Sequence, residues 1–220
     1  TSRQLAVVGE SGMRQPKSYS GDLMEKGKVN EAAIIKWLER EGKLVLDLRD
    51  FRQAQHIDVD IGIEDHDGIV LAEIKSDEYI SETPNEPTPG FKPLRGNLCF
   101  ENMRINHYAR GNWFYKGWGW RSPAKLLIVR NPPTQKTFVF EFEKLRNFVG
   151  KWIIKHEEIH KSPIQMATVM SDDGKTTFNF LIPMSELKQA RLYKGPFIVP
   201  SIYASDPTLE TQTQLPGILA

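Results

Sequence analysis

The chain has 220 residues, which is enough for one sizeable domain whose core needs no disulfide or structural metal. The single cysteine, Cys99, excludes a disulfide framework, an iron–sulfur cluster and a cysteine-rich zinc site, and is typical of a reducing compartment. No apolar run reaches the roughly 20 residues that a membrane span needs, so we expect a soluble, cytoplasmic protein with no membrane partner.

The net charge is only +1, but acidic and basic residues are separated along the chain. Residues 47–86 contain twelve acidic and three basic side chains, whereas residues 92–130 contain eight basic and one acidic side chain. Such charges can simply lie on solvated surfaces that pair loosely. The near-neutral total argues against a protein that coats long stretches of nucleic acid.

The first clear element is a helix at residues 28–41, which follows a polar lead-in at residues 1–20. Ile34, Ile35 and Leu38 recur there at helical spacing, and Gly42 closes the helix.

A hairpin follows, because the DHDG sequence at 65–68 is a strong turn signal between strands at 56–63 and 69–75. Further strands are predicted at 43–48, 98–101, 125–130, 138–142, 177–182 and 197–203, with a loop at 81–97, a helix at 143–159 and a tail at 206–220. This order predicts a single α/β domain over residues 21–205, with a central mixed β-sheet flanked by helices.

Alternation along the hairpin gathers carboxylates on one face. The apolar residues of strand 56–63 share a face, which places Asp58 and Asp60 on the other. A hairpin that closes symmetrically on its turn sets Asp60 opposite Glu73, and Asp58 opposite Lys75. Opposed Cβ atoms are about 5 Å apart, so Asp60 and Glu73 repel unless a cation such as Mg²⁺ or Mn²⁺ neutralises them. Alternatively, the Asp58–Lys75 pair and solvent balance the charge.

Glu31 is a further candidate ligand, because it lies on the apolar stripe of the helix with Ile34, Ile35 and Leu38. A carboxylate on a buried stripe is costly unless it is paired or binds a metal ion. The alternative is a solvated acid in the first turn, where the helix dipole favours negative charge.

Together, a helix carrying Glu31, a strand ending in Asp60 and a hairpin leading to Glu73-Ile74-Lys75 resemble the PD-(D/E)XK nuclease superfamily. The interval of thirteen residues between Asp60 and Glu73 is similar to that of its resolvase-like and recombination-nuclease branches. The resemblance implies a restriction-endonuclease-like core, with Asp60 as the metal-binding aspartate and Glu73 and Lys75 as the (D/E)-x-K pair. Glu31 matches the helical glutamate that some branches use.

One position departs from the family pattern. Val59 stands where the family usually has proline before the aspartate, so Asp58 remains a rival of Asp60 for that role.

The resemblance implies metal-dependent hydrolysis of phosphodiester bonds, with DNA favoured over RNA as the substrate. The catalytic residues would be Glu31, Asp60, Glu73 and Lys75. One or two Mg²⁺ ions, for which Mn²⁺ can substitute, would be held by Asp60, Glu73, the carbonyl of Ile74 and Glu31. Lys75 would orient the attacking water or neutralise the phosphate.

Residues 104–121 interleave basic and aromatic side chains and contain three of the five tryptophans. Basic groups can contact phosphates while rings stack on unpaired bases, although most aromatic residues pack in the core. We expect a mixture, with some rings buried and the basic residues facing the substrate. The predicted nucleic-acid-binding residues are Lys92, Arg95, Arg104, Arg110, Lys116 and Arg121. The segment GNLCFE at 96–101 resembles one that some phage-type members of the superfamily place on the next strand, and this resemblance implies Glu101 as a further candidate carboxylate.

A rival motif occurs at His156-Glu157-Glu158-Ile159-His160, which has the HExxH spacing of zinc peptidases. Its context is unfavourable, because Glu158 is charged where that family has an apolar residue and Pro163 follows closely. The better explanation of this spacing is a polar helix end, where two histidines lie near the negative end of the helix dipole.

We therefore predict a nuclease, with a zinc metallopeptidase and a non-catalytic nucleic-acid-binding or assembly protein of the same fold as alternatives. The sequence leaves a homodimer open.

Overall fold

The computed structural model describes residues 22–82, 96–108, 111–159, 166–171 and 175–201. The predicted lead-in, the C-terminal tail and most of the predicted loop at 81–97 lie outside these residues. In chain order the elements are α1 (Asp22–Arg40), β1 (Val45–Asp47), α2 (Arg52–His56), β2 (Ile61–Asp65), β3 (Gly68–Ser76), β4 (Asn97–Tyr108), β5 (Gly111–Lys116), α3 (Trp118–Arg121), β6 (Leu126–Asn131), β7 (Lys136–Glu141), α4 (Phe142–Ile159), β8 (Met166–Ser171), β9 (Lys175–Pro183), α5 (Met184–Gln189) and β10 (Tyr193–Ile198).

Two sheets organise these elements. The larger sheet has six strands in the order β1-β2-β3-β6-β7-β10. Strands β3 and β6 are parallel, and every other neighbouring pair in this sheet is antiparallel. The smaller sheet is antiparallel and has four strands in the order β5-β4-β9-β8. The prediction of an α/β protein with a mixed central sheet is confirmed.

The described residues form two apolar core clusters. One joins α1 to the six-stranded sheet through residues such as Ile34, Leu38 and Ile74, which confirms the predicted apolar stripe of the helix. The other contains Phe100, Phe138 and Trp118 and joins both sheets to α4. Burying one such side chain fully stabilises the fold by roughly 1.5–3 kcal/mol, so these clusters set the positions of the polar residues at their edges.

The predicted strand at 56–63 is wrong in its first half. Residues Arg52–His56 form the short helix α2, and β2 begins only at Ile61. Between them the chain turns at Asp58, whose φ angle of 54° is left-handed, while the N–H of Val59 donates to the carbonyl of Ala54. Local backbone hydrogen bonds therefore replace the extended conformation that the alternating sequence suggested.

Strands β5 and β8 and helices α3 and α5 were not predicted, and β4 and β10 have different limits from those expected. Among the described helices, none is both long and apolar enough to cross a membrane.

Candidate functional site

The hairpin register brings Asp60 and Glu73 together at one end of the β2–β3 ladder, within the six-stranded sheet. Residues pair from Ile61 opposite Ala72 down to the turn, which is the predicted register. The ladder ends one residue short of Asp60, whose Oδ2 accepts a hydrogen bond of 2.7 Å from the N–H of Ile74. Because Ile61 pairs with Ala72, the next residues outward, Asp60 and Glu73, are neighbours at the end of this ladder.

Glu73 is the most deeply buried member of the cluster, with 1% of its side chain exposed. Its Oε1 contacts Nζ of Lys75, while its Oε2 is buried and has no hydrogen-bond partner. Burial raises the pKa of Glu73 to about 8; Lys75 opposes this rise, and the nearby Asp60 and Asp58 add to it. A buried carboxylate oxygen without a partner is rare in a purely structural role.

Lys75 lies between Glu73 and an aromatic ring. Its side chain is one third exposed, and its Nζ is 5.6 Å from the centroid of the Trp118 ring. Burial alone would lower the pKa of Lys75, but attraction to Glu73, Asp60 and Asp58 outweighs it and holds the pKa above its ordinary value. The ammonium group is therefore charged at neutral pH and balances part of the negative charge around it.

Glu31 approaches the same cluster from α1. Its carboxylate is one quarter exposed and lies 3.5 Å from Nη1 of Arg49. Burial raises its pKa and repulsion by Asp60 adds to the rise, whereas Arg49 and Lys75 lower it. The half-buried position on the helical stripe agrees with the sequence prediction, and the electrostatic coupling joins Glu31 to Asp60.

Arg49 is a component of the site that the sequence interpretation missed. Its guanidinium forms two hydrogen bonds with Asp47, of 2.8 Å from Nε and 2.5 Å from Nη2, while Nη1 faces Glu31. The hydrogen bonds to Asp47 raise the pKa of Arg49 despite its partial burial. The spacing of Asp47 and Arg49 on either side of Leu48 was the available signal.

Asp58 does not lie opposite Lys75, and that prediction is wrong. Its Oδ2 accepts hydrogen bonds from Arg121, of 2.6 Å from Nε and 2.5 Å from Nη2. Its backbone carbonyl accepts a 2.5 Å hydrogen bond from Oγ of Ser122. The left-handed turn at Asp58 breaks the alternation on which the prediction relied, so Asp58 anchors the segment after α3 and does not share a strand face with Asp60.

Glu101 belongs to the four-stranded sheet, where it pairs with Asn179 of β9. Both of its carboxylate oxygens lie 3.2 Å from Nη2 of Arg104, and Oε1 also accepts a 3.4 Å hydrogen bond from the N–H of Trp118. Glu101 is thus connected to the cluster through Trp118, whose ring lies beside Lys75.

The aromatic residues of 104–121 divide as expected into buried and exposed rings. Trp118 is 7% exposed and packs in the core, whereas Trp113 and Phe114 are 61% and 65% exposed. Among the predicted nucleic-acid-binding residues, Arg104, Lys116 and Arg121 are described, while Lys92, Arg95 and Arg110 lie outside the described residues.

The HExxH motif falls at the end of α4, which is described as far as Ile159. His160 and the side chains of His156 and Glu157 lie outside the described part of the structure.

A divalent cation such as Mg²⁺ needs several oxygen ligands close together. Among the described residues, no three or more His, Cys, Asp or Glu side chains are close enough together to hold a metal ion. The chemistry of the cluster nevertheless suits a divalent cation, because the buried Oε2 of Glu73 lacks a partner and Asp60 is its neighbour.

Comparison with protein-family models, with curated proteins and with solved structures finds no match.

Proposed function

We propose that the protein is a metal-dependent nuclease of the PD-(D/E)XK kind, with a restriction-endonuclease-like core, that hydrolyses phosphodiester bonds in DNA. One observation carries the proposal: the carboxylate of Glu73 is buried beside Lys75 and Asp60 with one oxygen unpartnered. Leaving a buried acceptor unsatisfied costs roughly 1–3 kcal/mol. Such a cost is typical of a site that is completed by a ligand.

The order of elements supports the same proposal. Helix α1 carries Glu31, the β2–β3 hairpin carries Asp60, Glu73 and Lys75, and β6 lies parallel to β3 beside them. These are the elements and residues on which the resemblance to the superfamily depends.

The chain's own residues have distinct parts in the proposed reaction. Asp60, Glu73 and the carbonyl of Ile74 would hold a divalent cation, with Glu31 as a further ligand, and a bound Mg²⁺ or Mn²⁺ would supply Lewis-acid chemistry. The protonated Lys75 would bind a phosphate oxygen and stabilise the negative charge that develops during cleavage. The ring of Trp118 limits the positions that the Lys75 ammonium group can adopt.

The test is cleavage of linear, circular, branched and single-stranded DNA, and of RNA, with Mg²⁺, with Mn²⁺ and with EDTA. We compare the parent with Glu73→Gln and with a matched control, Glu64→Gln, which changes an exposed glutamate of the same hairpin. We expect metal-dependent cleavage of DNA by the parent and by Glu64→Gln, and none by Glu73→Gln.

Two outcomes would contradict the proposal. Equal cleavage by Glu73→Gln and the parent would place the activity elsewhere. Binding of nucleic acid without cleavage in any metal would favour the non-catalytic binding protein of the same fold.

A further inference from the structure

The C-terminal half of β4, together with β5 and the start of β9, forms a surface that we call the aromatic arm, comprising residues 103–108, 111–116 and 175–178. The N-terminal half of β4 is anchored in the core, where Leu98 and Phe100 are 1% and 0% exposed. Along β5, in contrast, all six residues are exposed. The arm thus extends from a buried base to an edge strand that is open to solvent on both faces.

Exposed aromatic rings are concentrated on this edge strand. Trp113, Phe114 and Tyr115 are consecutive and are 61%, 65% and 39% exposed. Successive side chains of a strand point to opposite faces, so Trp113 and Tyr115 share one face and Phe114 lies on the other. Large apolar rings grouped in this way are typical of a binding surface.

The charge of the arm indicates what it binds. It contains three cations, Arg104, Lys116 and Lys175, and no carboxylate of its own, although Nη2 of Arg104 lies 3.2 Å from Glu101 at its base. Arg104 is the cross-strand neighbour of Tyr115, and Lys175 pairs with Asn106, the residue opposite Trp113. Cations therefore accompany the two rings of one face, which is the arrangement that contacts phosphates while bases stack.

The arm is also joined to the carboxylate cluster. Phe114, Tyr115 and Lys116 line a groove of about 560 Å³ together with Trp120 of α3. Trp118, in the same short helix, lies beside Lys75. Helix α3 therefore borders the groove through one tryptophan and the cluster through another.

We propose that the aromatic arm binds an unpaired segment of nucleic acid by stacking its bases on Trp113, Tyr115 and Phe114. This inference rests on the proposed function, and it assigns to the nuclease a substrate with a single-stranded stretch. A duplex would hide the faces of its bases from the rings. A second copy of the chain packed on the same face would set its own Arg104 and Lys175 against those of the first, and these like charges repel.

The inference is tested by fluorescence anisotropy with a labelled 20-nucleotide oligothymidine and with a 20-base-pair duplex, both in EDTA so that no cleavage occurs. We expect the parent to bind the single strand more tightly than the duplex. Trp113→Ala should weaken single-strand binding by about fivefold or more, while Trp113→Phe, which keeps a ring, should bind nearly as well as the parent.

The matched control is Ile154→Ala, which removes another side chain that is more than half exposed, on α4, and should bind like the parent. The melting temperatures of all variants should agree, because the substituted residues are exposed.

Equal affinity of Trp113→Ala and the parent for the oligothymidine, or a preference for the duplex, would overturn the inference. Concentration-dependent dimerisation that Trp113→Ala abolishes would assign the arm to a second copy of the chain. Because binding is measured without cleavage, single-strand binding by a protein that cleaves nothing would support the arm and reject the nuclease. Cleavage by a protein that does not prefer the single strand would support the nuclease and reject the proposed role of the arm.

Discussion

Strands β5 and β6 have the same length and opposite surroundings. All six residues of β6 are buried, whereas all six residues of β5 are exposed, although β5 contains three consecutive aromatic side chains. Strand β6 lies between β3 and β7, and β5 is the edge of its sheet. Position in the sheet, and not hydrophobicity, therefore decides burial here, and it separates the residues that stabilise the fold from those available to a partner.

The buried polar residues extend the comparison. Arg130 of β6 is 2% exposed, yet its guanidinium contacts Asn30 of α1 and donates a 2.8 Å hydrogen bond to the carbonyl of Val199. The strand beside β6, which is β3, carries Glu73, and one carboxylate oxygen of Glu73 has no partner. A buried polar group whose atoms all have partners joins elements of the fold, while one with an unpartnered atom indicates a site.

The largest expected effect is on the free energy of unfolding, and it separates a buried phenylalanine from an exposed one. Phe138 of β7 is 0% exposed and Phe114 of β5 is 65% exposed. Phe138→Ala should lower the free energy of unfolding by about 3–5 kcal/mol because it leaves a cavity in the core. Phe114→Ala should change it by about 0.5 kcal/mol or less. Urea denaturation measures both, and similar losses in the two variants would show that the arm is part of the core.

The next effect is a dependence of stability on pH that Glu73 causes. Because the pKa of Glu73 is about 8 in the folded protein, the folded state keeps a proton that the unfolded chain loses near pH 4.5. The free energy of unfolding should therefore fall as the pH rises between these two values. In EDTA, the free energy of unfolding should fall between pH 5 and 8 in both proteins. We expect this fall to be about 3 kcal/mol smaller in Glu73→Gln than in the parent. Parallel pH profiles for the two proteins would show that burial does not raise the pKa of Glu73.

A smaller effect is expected at Glu31, which is only partly buried. Glu31→Gln is nearly isosteric but provides a poorer cation ligand, so cleavage should fall about tenfold, which corresponds to about 1.4 kcal/mol. The melting temperature should remain close to that of the parent. Cleavage at the parent's rate would show that Glu31 is an acid in the middle of its helix that pairs with Arg49 and does not bind the cation.

The hairpin shows how much of the site could be predicted from the sequence. Turn residues and alternation gave the register of β2 and β3, because both are local properties that the chain carries within a few residues. The position of Asp58 could not be obtained in this way. It depends on Arg121 and Ser122, which lie more than sixty residues away along the chain. It also depends on a left-handed turn that the alternating sequence around Asp58 does not reveal.

The aromatic segment shows the same division. Alternation and composition predicted a mixture of buried and exposed rings but not their identity. That depends on α3, where Gly119 allows the chain to pass against Phe100; a Cβ there would lie 2.4 Å from that ring. Such a close approach between distant segments has no signature in the spacing of either one.

The smallest expected effect separates the two candidate aspartates. Asp58→Asn should retain cleavage, because Asp58 is held by Arg121 and its left-handed turn takes it off the strand face of Asp60, and asparagine tolerates that φ angle. The lost ion pair, partly exposed, should cost about 1 kcal/mol or less. Asp60→Asn should instead lose cleavage, yet in EDTA it should melt no lower than the parent, since its side-chain oxygen can still accept the Ile74 N–H and one repelling charge is gone. If Asp58→Asn abolishes cleavage while Asp60→Asn does not, Asp58 is the ligand and the hairpin register is not what builds the site.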